Sequence, residues 1–81
     1  MNTLVIYDIS EDKTRNKVAE ACKDYGLERI QWSAFMGELG TNRREELHMR
    51  LIKTIKDKEG NIQIYPICSK DINLKKEIDN G

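Results

Sequence analysis

The sequence predicts an α+β domain of the ferredoxin-like (βαββαβ) class, an antiparallel sheet with two helices on one face. Three observations predict it. Short runs rich in β-branched and aromatic residues, at 3–8 and 62–68, stand near the two ends, and such runs favour strands. Two charged stretches between them each carry one apolar stripe at helical spacing. The segment joining those stripes, 27–39, alternates polar and apolar residues in part. Strand–helix–strand–strand–helix–strand with one-sided helices is the split βαβ arrangement, and it leaves one sheet face without a cover. A second copy of the chain would cover it, so dimerisation is expected.

Each element has its own local reason. After the first strand, Ser10 offers an N-cap, and Glu11 and Asp12 suit the exposed N–H groups of a first helical turn. Val18, Ala21, Cys22 and Tyr25 form the first stripe, and Gly26 supplies the left-handed residue that commonly ends a helix. In 27–39, Ile30, Trp32, Ala34 and Met36 share one parity. That segment is long for one strand, so a break at Ser33 and Ala34 into two short strands is expected, although no Asn-Gly or Asp-Gly turn marks it. Gly40, Thr41 and Asn42 read as loop and cap, and a second helix runs to about Asp57, burying Leu47, Leu51, Ile52 and Ile55. Gly60 and Asn61 turn the chain into the last strand. Pro66 cannot donate a ladder hydrogen bond, so it belongs at an edge, a strand end or a bulge.

With 81 residues, the chain is expected to form a single domain over 1–81, with 69–81 a weakly patterned tail for a partner to order. So short a domain buries a small core, which again favours association. Fourteen Lys and Arg balance fourteen Asp and Glu, which excludes the simplest case for nucleic-acid binding, a strongly basic chain. The charges are segregated, however. Residues 41–58 carry Arg43, Arg44, Arg50, Lys53, Lys56 and Lys58 against Glu45, Glu46 and Asp57, enough for a basic ridge. No apolar run approaches the roughly 20 residues of a membrane span. No basic-then-apolar leader is present, and two Cys make neither a disulfide framework nor a thiolate zinc site. A cytoplasmic protein with no membrane partner is expected.

Asp8 is the most informative residue. On strand alternation it shares a face with Leu4 and Ile6, while Val5 and Tyr7 point the other way. A carboxylate on a largely apolar face needs a hydrogen bond, an ion pair or a metal. Two readings follow: a cap for the next helix, or a ligand to Mg²⁺, which takes oxygen donors and one or two carboxylates. The second needs another carboxylate, which a two-fold axis would supply as a second Asp8. Elsewhere the inventory mostly eliminates. His48 stands alone, there is no Ser–His–Asp or Cys–His set, and the glycines form no phosphate-binding loop. Tyr7, Trp32, Phe35 and Tyr65 could stack bases, though aromatic residues on strands are more often core. Arg15, Lys17, Arg29, Arg43 and Arg44 could grip phosphates.

The run Tyr7-Asp8-Ile9, then Asp12, Arg15-Asn16-Lys17-Val18-Ala19, Gly26-Leu27, Arg29-Ile30-Gln31 and Ser33-Ala34-Phe35 resembles the CRISPR-associated (Cas) protein two family. The closing Ile64-Tyr65-Pro66-Ile67 resembles its last core strand, so the likeness spans about 3–68. The resemblance implies a homodimer through the open sheet face, with a short last strand added to the partner's sheet, here from 69–81. It implies a divalent metal, usually Mg²⁺, between two copies of Asp8, with Tyr7, Ser33 and Phe35 around the reaction centre and Arg15 and Arg29 on the nucleic acid. Lys17 stands where many relatives have Arg, keeping the charge without the bidentate fork. Members are described as metal-dependent endonucleases on RNA or double-stranded DNA, and as the non-catalytic centre of the spacer-acquisition complex with the CRISPR integrase.

Three hypotheses therefore compete: a Mg²⁺-dependent nuclease, a structural adaptor that bridges the integrase on duplex DNA, and a toxin-type ribonuclease of the same fold outside CRISPR immunity. One carboxylate per chain and no evident general base make a sparse catalytic site. The residues favour binding in spacer acquisition and leave intrinsic cleavage open.

Overall fold

The computed structural model describes residues 1–68, so the tail expected at 69–81 lies outside the described residues. Strands β1 (Asn2–Asp8), β2 (Glu28–Gln31), β3 (Ala34–Glu38) and β4 (Asn61–Ile67) alternate with helices α1 (Asp12–Asp24) and α2 (Thr41–Ile55) in the order β1-α1-β2-β3-α2-β4. The sheet runs β2-β3-β1-β4 with every pairing antiparallel. This is the ferredoxin-like arrangement the sequence predicts.

Register assigns the faces. Val5 lies opposite Phe35 and Ile64, and Tyr7 opposite Ile62, so these side chains share the face toward the helices. There they meet Val18, Ala21 and Cys22 of α1 and Leu47 and Leu51 of α2, closed off by Ile9, Leu27 and Leu39. Each fully buried large aliphatic or aromatic side chain contributes about 1.5–3 kcal/mol, against the entropy of ordering it. Leu4 lies opposite Met36 and Tyr65, and Ile6 opposite Ala34 and Gln63, on the other face. Among the described residues no layer covers that side, and Ile6 and Tyr65 stay 37% and 44% exposed.

Local signals are met closely, with instructive departures. Gly26 has φ +83°, as its role after α1 requires. Pro66 sits one residue from the end of an edge strand. The hairpin turn falls at Trp32 and Ser33, one residue earlier than expected, and a register shift between Arg29 and Gln31 puts Ile30 out of step. Ser10 is not the N-cap. Glu11 holds that position without a side-chain bond to the backbone, and its Oε1 instead accepts from the Thr14 hydroxyl at 2.5 Å. The second helix ends at Ile55 rather than Asp57, because Lys56 turns to φ +27°. Ile52, expected in the core, is 51% exposed: Leu47 and Leu51 already fill the line facing the sheet, and one residue further round faces outward.

Candidate functional site

The end of β1 distributes its chemistry over two faces. Tyr7 points toward the helices and Asp8 toward the open face, a direct result of strand alternation.

On the helix side, the Tyr7 N–H donates to the Ser33 carbonyl at 3.0 Å, tying the β2–β3 turn to the end of β1. Tyr7 and Phe35 stack with ring centroids 6.3 Å apart. Arg29 pairs with Phe35 across the hairpin, and its guanidinium lies 5.1 Å from that ring centroid and 5.3 Å from that of Trp32. Arg15, from the first turn of α1, approaches Trp32 at 5.8 Å. It donates to the Ile9 carbonyl at 3.2 Å and pairs with Asp12, so its side chain is held rather than free. Tyr7, Arg15, Asn16, Ala19, Arg29 and Trp32 enclose a small cleft. The buried Tyr7 hydroxyl has no hydrogen-bond partner among the described residues. Burial pushes its pKa up, opposed by the charge of Arg29, so it remains a neutral donor near pH 7.

On the other face Asp8 is exposed at the strand end, opposite Asn61. Its carboxylate makes no hydrogen bond or ion pair with the described residues. It does not cap α1, whose N-cap position belongs to Glu11. No cluster of three or more His, Cys, Asp or Glu suits a metal among the described residues. At the end of β1, Asp8 therefore offers a divalent ion one carboxylate that no described residue engages. That suits half of a shared site, where waters and a second carboxylate complete the oxygen shell.

The structure thus brings together Tyr7, Ser33, Phe35, Arg15 and Arg29, with Asp8 next to them on the reverse face. It does not bring Arg43 and Arg44 there. These begin α2 at the opposite end of the sheet, where Arg43 lies 4.6 Å from the Tyr25 ring centroid. Lys17 is exposed on α1. A groove of about 510 Å³ is also elsewhere, between α2 and β4, with Leu51, Ile52, Ile55, Ile62 and Ile64 among its walls. His48 lines it alone of the usual acid–base groups but for Glu45, with no nucleophile beside them, so it does not displace the β1 end as the candidate site. Residue spacing assigns no site role to Asn16, which lines the cleft, or to Gly60, where a Cβ would meet the Asp8 carbonyl oxygen at 2.9 Å. Asn16 is legible only as a neighbour of Arg15, and Gly60 only as a turn glycine.

Comparison with known proteins decides the family. The model of the family "CRISPR associated protein Cas2" matches residues 1–75. The chain belongs to the Cas2 family. It is 56% identical over 79 residues to the CRISPR-associated endoribonuclease Cas2 of Desulforudis audaxviator, covering 98% of this chain and 74% of that protein. Its fold is similar to the crystal structure of Streptococcus pyogenes Cas2 at pH 6.5, with TM-score 0.82 and 26% identity over 98% of this chain and 100% of that one. It is also similar to a chain of a partial Cas6-RT-Cas1–Cas2 complex, with TM-score 0.79 and 30% identity over 95% and 89% of the two chains. These two structures support the βαββαβ assignment over nearly the whole length of this chain.

Proposed function

We propose that this Cas2-family chain acts in the cytoplasm as a homodimer in CRISPR spacer acquisition, binding duplex DNA and bridging the CRISPR integrase. The open sheet face carries this reading: Leu4, Ile6, Met36 and Tyr65 form an apolar surface with Asp8 at its end. Burying such a surface against its own copy satisfies the hydrophobic effect and a two-fold axis together. The outer edge of β4 offers a further place for a strand from the partner's tail. Likeness to a chain of a Cas1–Cas2 complex supports the integrase as partner.

Arg15 and Arg29 grip phosphate on the helix side, and Lys17, Arg43 and Arg44 extend the contact along the surface. The two Asp8 carboxylates are the residues that would hold Mg²⁺. The ion would stabilise charge on an attacked phosphate, which is the basis for cleavage of RNA or double-stranded DNA. Tyr7, Ser33 and Phe35 shape the adjoining backbone, and Tyr7 and Phe35 do so from within the core.

Ile6→Lys tests this. It places a charge in the centre of the open face without touching the helix-side core. Sedimentation should show a dimer for the parent chain and a monomer for the variant, and the variant should fail to co-purify with the integrase. A parent chain that stays monomeric at micromolar concentration, or a monomeric variant that still bridges the integrase, overturns the reading.

A further inference from the structure

At the tip of the β2–β3 turn, Trp32 keeps 70% of its surface in solvent. Polar residues and glycine dominate such turns, so a bare indole there is unusual. Two guanidinium groups, of Arg15 and Arg29, stand 5.8 and 5.3 Å from its centroid. They flank the ring with positive charge, that of Arg15 shared with Asp12 and that of Arg29 in no ion pair among the described residues. Beneath lies a cleft of about 20 Å³ lined by these three residues with Tyr7, Asn16 and Ala19. Tyr7, which lines this cleft, is 2% exposed, and its hydroxyl has no partner among the described residues. A buried hydroxyl without a partner is costly, so a ligand atom that accepts its proton gains a prepared site. The space suits about one oxygen atom and no ring.

We propose that Trp32 is a stacking platform for an unpaired nucleobase, whose neighbouring phosphate is held by Arg15, Arg29 and the Tyr7 hydroxyl. The phosphate oxygen enters the cleft, and the base remains outside on the indole. Bases within a duplex are stacked on one another and present no free face, so the site prefers single strands and frayed ends. This rests on the nucleic-acid-binding reading above and adds the residue that stacks an unpaired base. An exposed tryptophan also suits a protein interface. The paired guanidinium groups and the orphan hydroxyl favour an anionic ligand instead.

Trp32 is the only tryptophan in the chain, so its emission reports on the site directly. The probes are an oligothymidylate strand, an abasic strand of equal length, and a blunt-ended duplex. Oligothymidylate should quench the emission, and the abasic strand should quench little. Trp32→Leu should weaken oligothymidylate binding by about 5- to 100-fold, with blunt-duplex affinity within about twofold because phosphate contacts carry it. Trp32→Phe should restore much of the loss, which a folding defect would not allow. Equal quenching by the abasic strand, or oligothymidylate affinity unchanged in Trp32→Leu, overturns the inference. So does a Trp32→Leu variant that loses the integrase alone, which would make the indole a protein contact. Blunt-duplex binding with Trp32 silent toward single strands defeats this inference and leaves the proposed function standing. Failure to bind any nucleic acid defeats both.

Discussion

Gly60 backs directly onto Asp8. A Cβ at Gly60 would lie 2.9 Å from the Asp8 carbonyl oxygen and 2.8 Å from Ile9 Cγ1, and the residue has φ +143°. The turn into β4 thus packs against the backbone that presents the candidate metal ligand, and only glycine fits it without strain. Gly60→Ala should lower stability by about 1–3 kcal/mol, read from urea denaturation. Any Mg²⁺-dependent cleavage should fall with it under conditions where the variant is folded.

Asp8 caps nothing and has no partner among the described residues, so its loss should not resemble the loss of a cap. In EDTA, Asp8→Ala should change stability by no more than about 0.5 kcal/mol, the range of ordinary surface substitutions. Loss of a capping aspartate typically costs about 0.5–2 kcal/mol. Asp8→Asn should abolish Mg²⁺-dependent cleavage while sedimentation still shows a dimer. Cleavage at the parent rate in Asp8→Asn would remove the metal assignment.

Four candidate phosphate-binding arginines separate into two pairs, Arg15 with Arg29 at the β1 end and Arg43 with Arg44 at the other. Arg15→Gln and Arg29→Gln should each reduce the slope of log affinity for duplex DNA against log salt by about 1. Charge reversal at Arg43 and Arg44 should weaken the same duplex if its path runs along α2. An unchanged affinity there, with the Arg15 and Arg29 effects present, would confine the DNA path to the β1 end.

Cys22 is fully buried between α1 and the sheet, and burial pushes its thiol from 9.0 up to about 12. A raised folded-state pKa means that stability from the neutral thiol is complete below pH 9 and is lost as pH rises toward 12. The urea midpoint should therefore hold steady up to about pH 8.5 and fall between pH 9 and 12. Cys22→Ala should flatten part of that fall, and burial of Tyr7 adds a further decline above pH 10. Below pH 9 the native Cys22 thiol should resist alkylation until the chain is unfolded.

Local chemistry alone made much of this fold legible. Alternation along 3–8 separates Val5 and Tyr7 from Leu4, Ile6 and Asp8 whatever those strands pair with, and register puts the two sets on the faces expected. Gly26 at φ +83° and Pro66 on an edge strand follow from what glycine and proline backbones can and cannot do. Where residues compete for one role, local rules do not choose. Ser10 has the better capping side chain, yet Glu11 takes the position, and Lys58 lies 3.7 Å from its carboxylate across the α2–β4 connection.

The sequence by itself determined the element order, the two apolar stripes and the isolation of Asp8 on an apolar strand face, because periodicity and backbone restriction act over a few residues. Only the tertiary structure decided which charges meet. Arg15 and Arg29 converge on Trp32 because the β2–β3 turn docks beside the start of α1, whereas Arg43 and Arg44, equally basic in sequence, are carried to the other end by β3. Trp32 falls in the turn itself, one residue before the expected break, and is exposed there. The unpartnered Tyr7 hydroxyl depends on what packs around it. Convergence of distant residues is a property of pairing register and chain path, which the spacing of residue types along a chain does not contain.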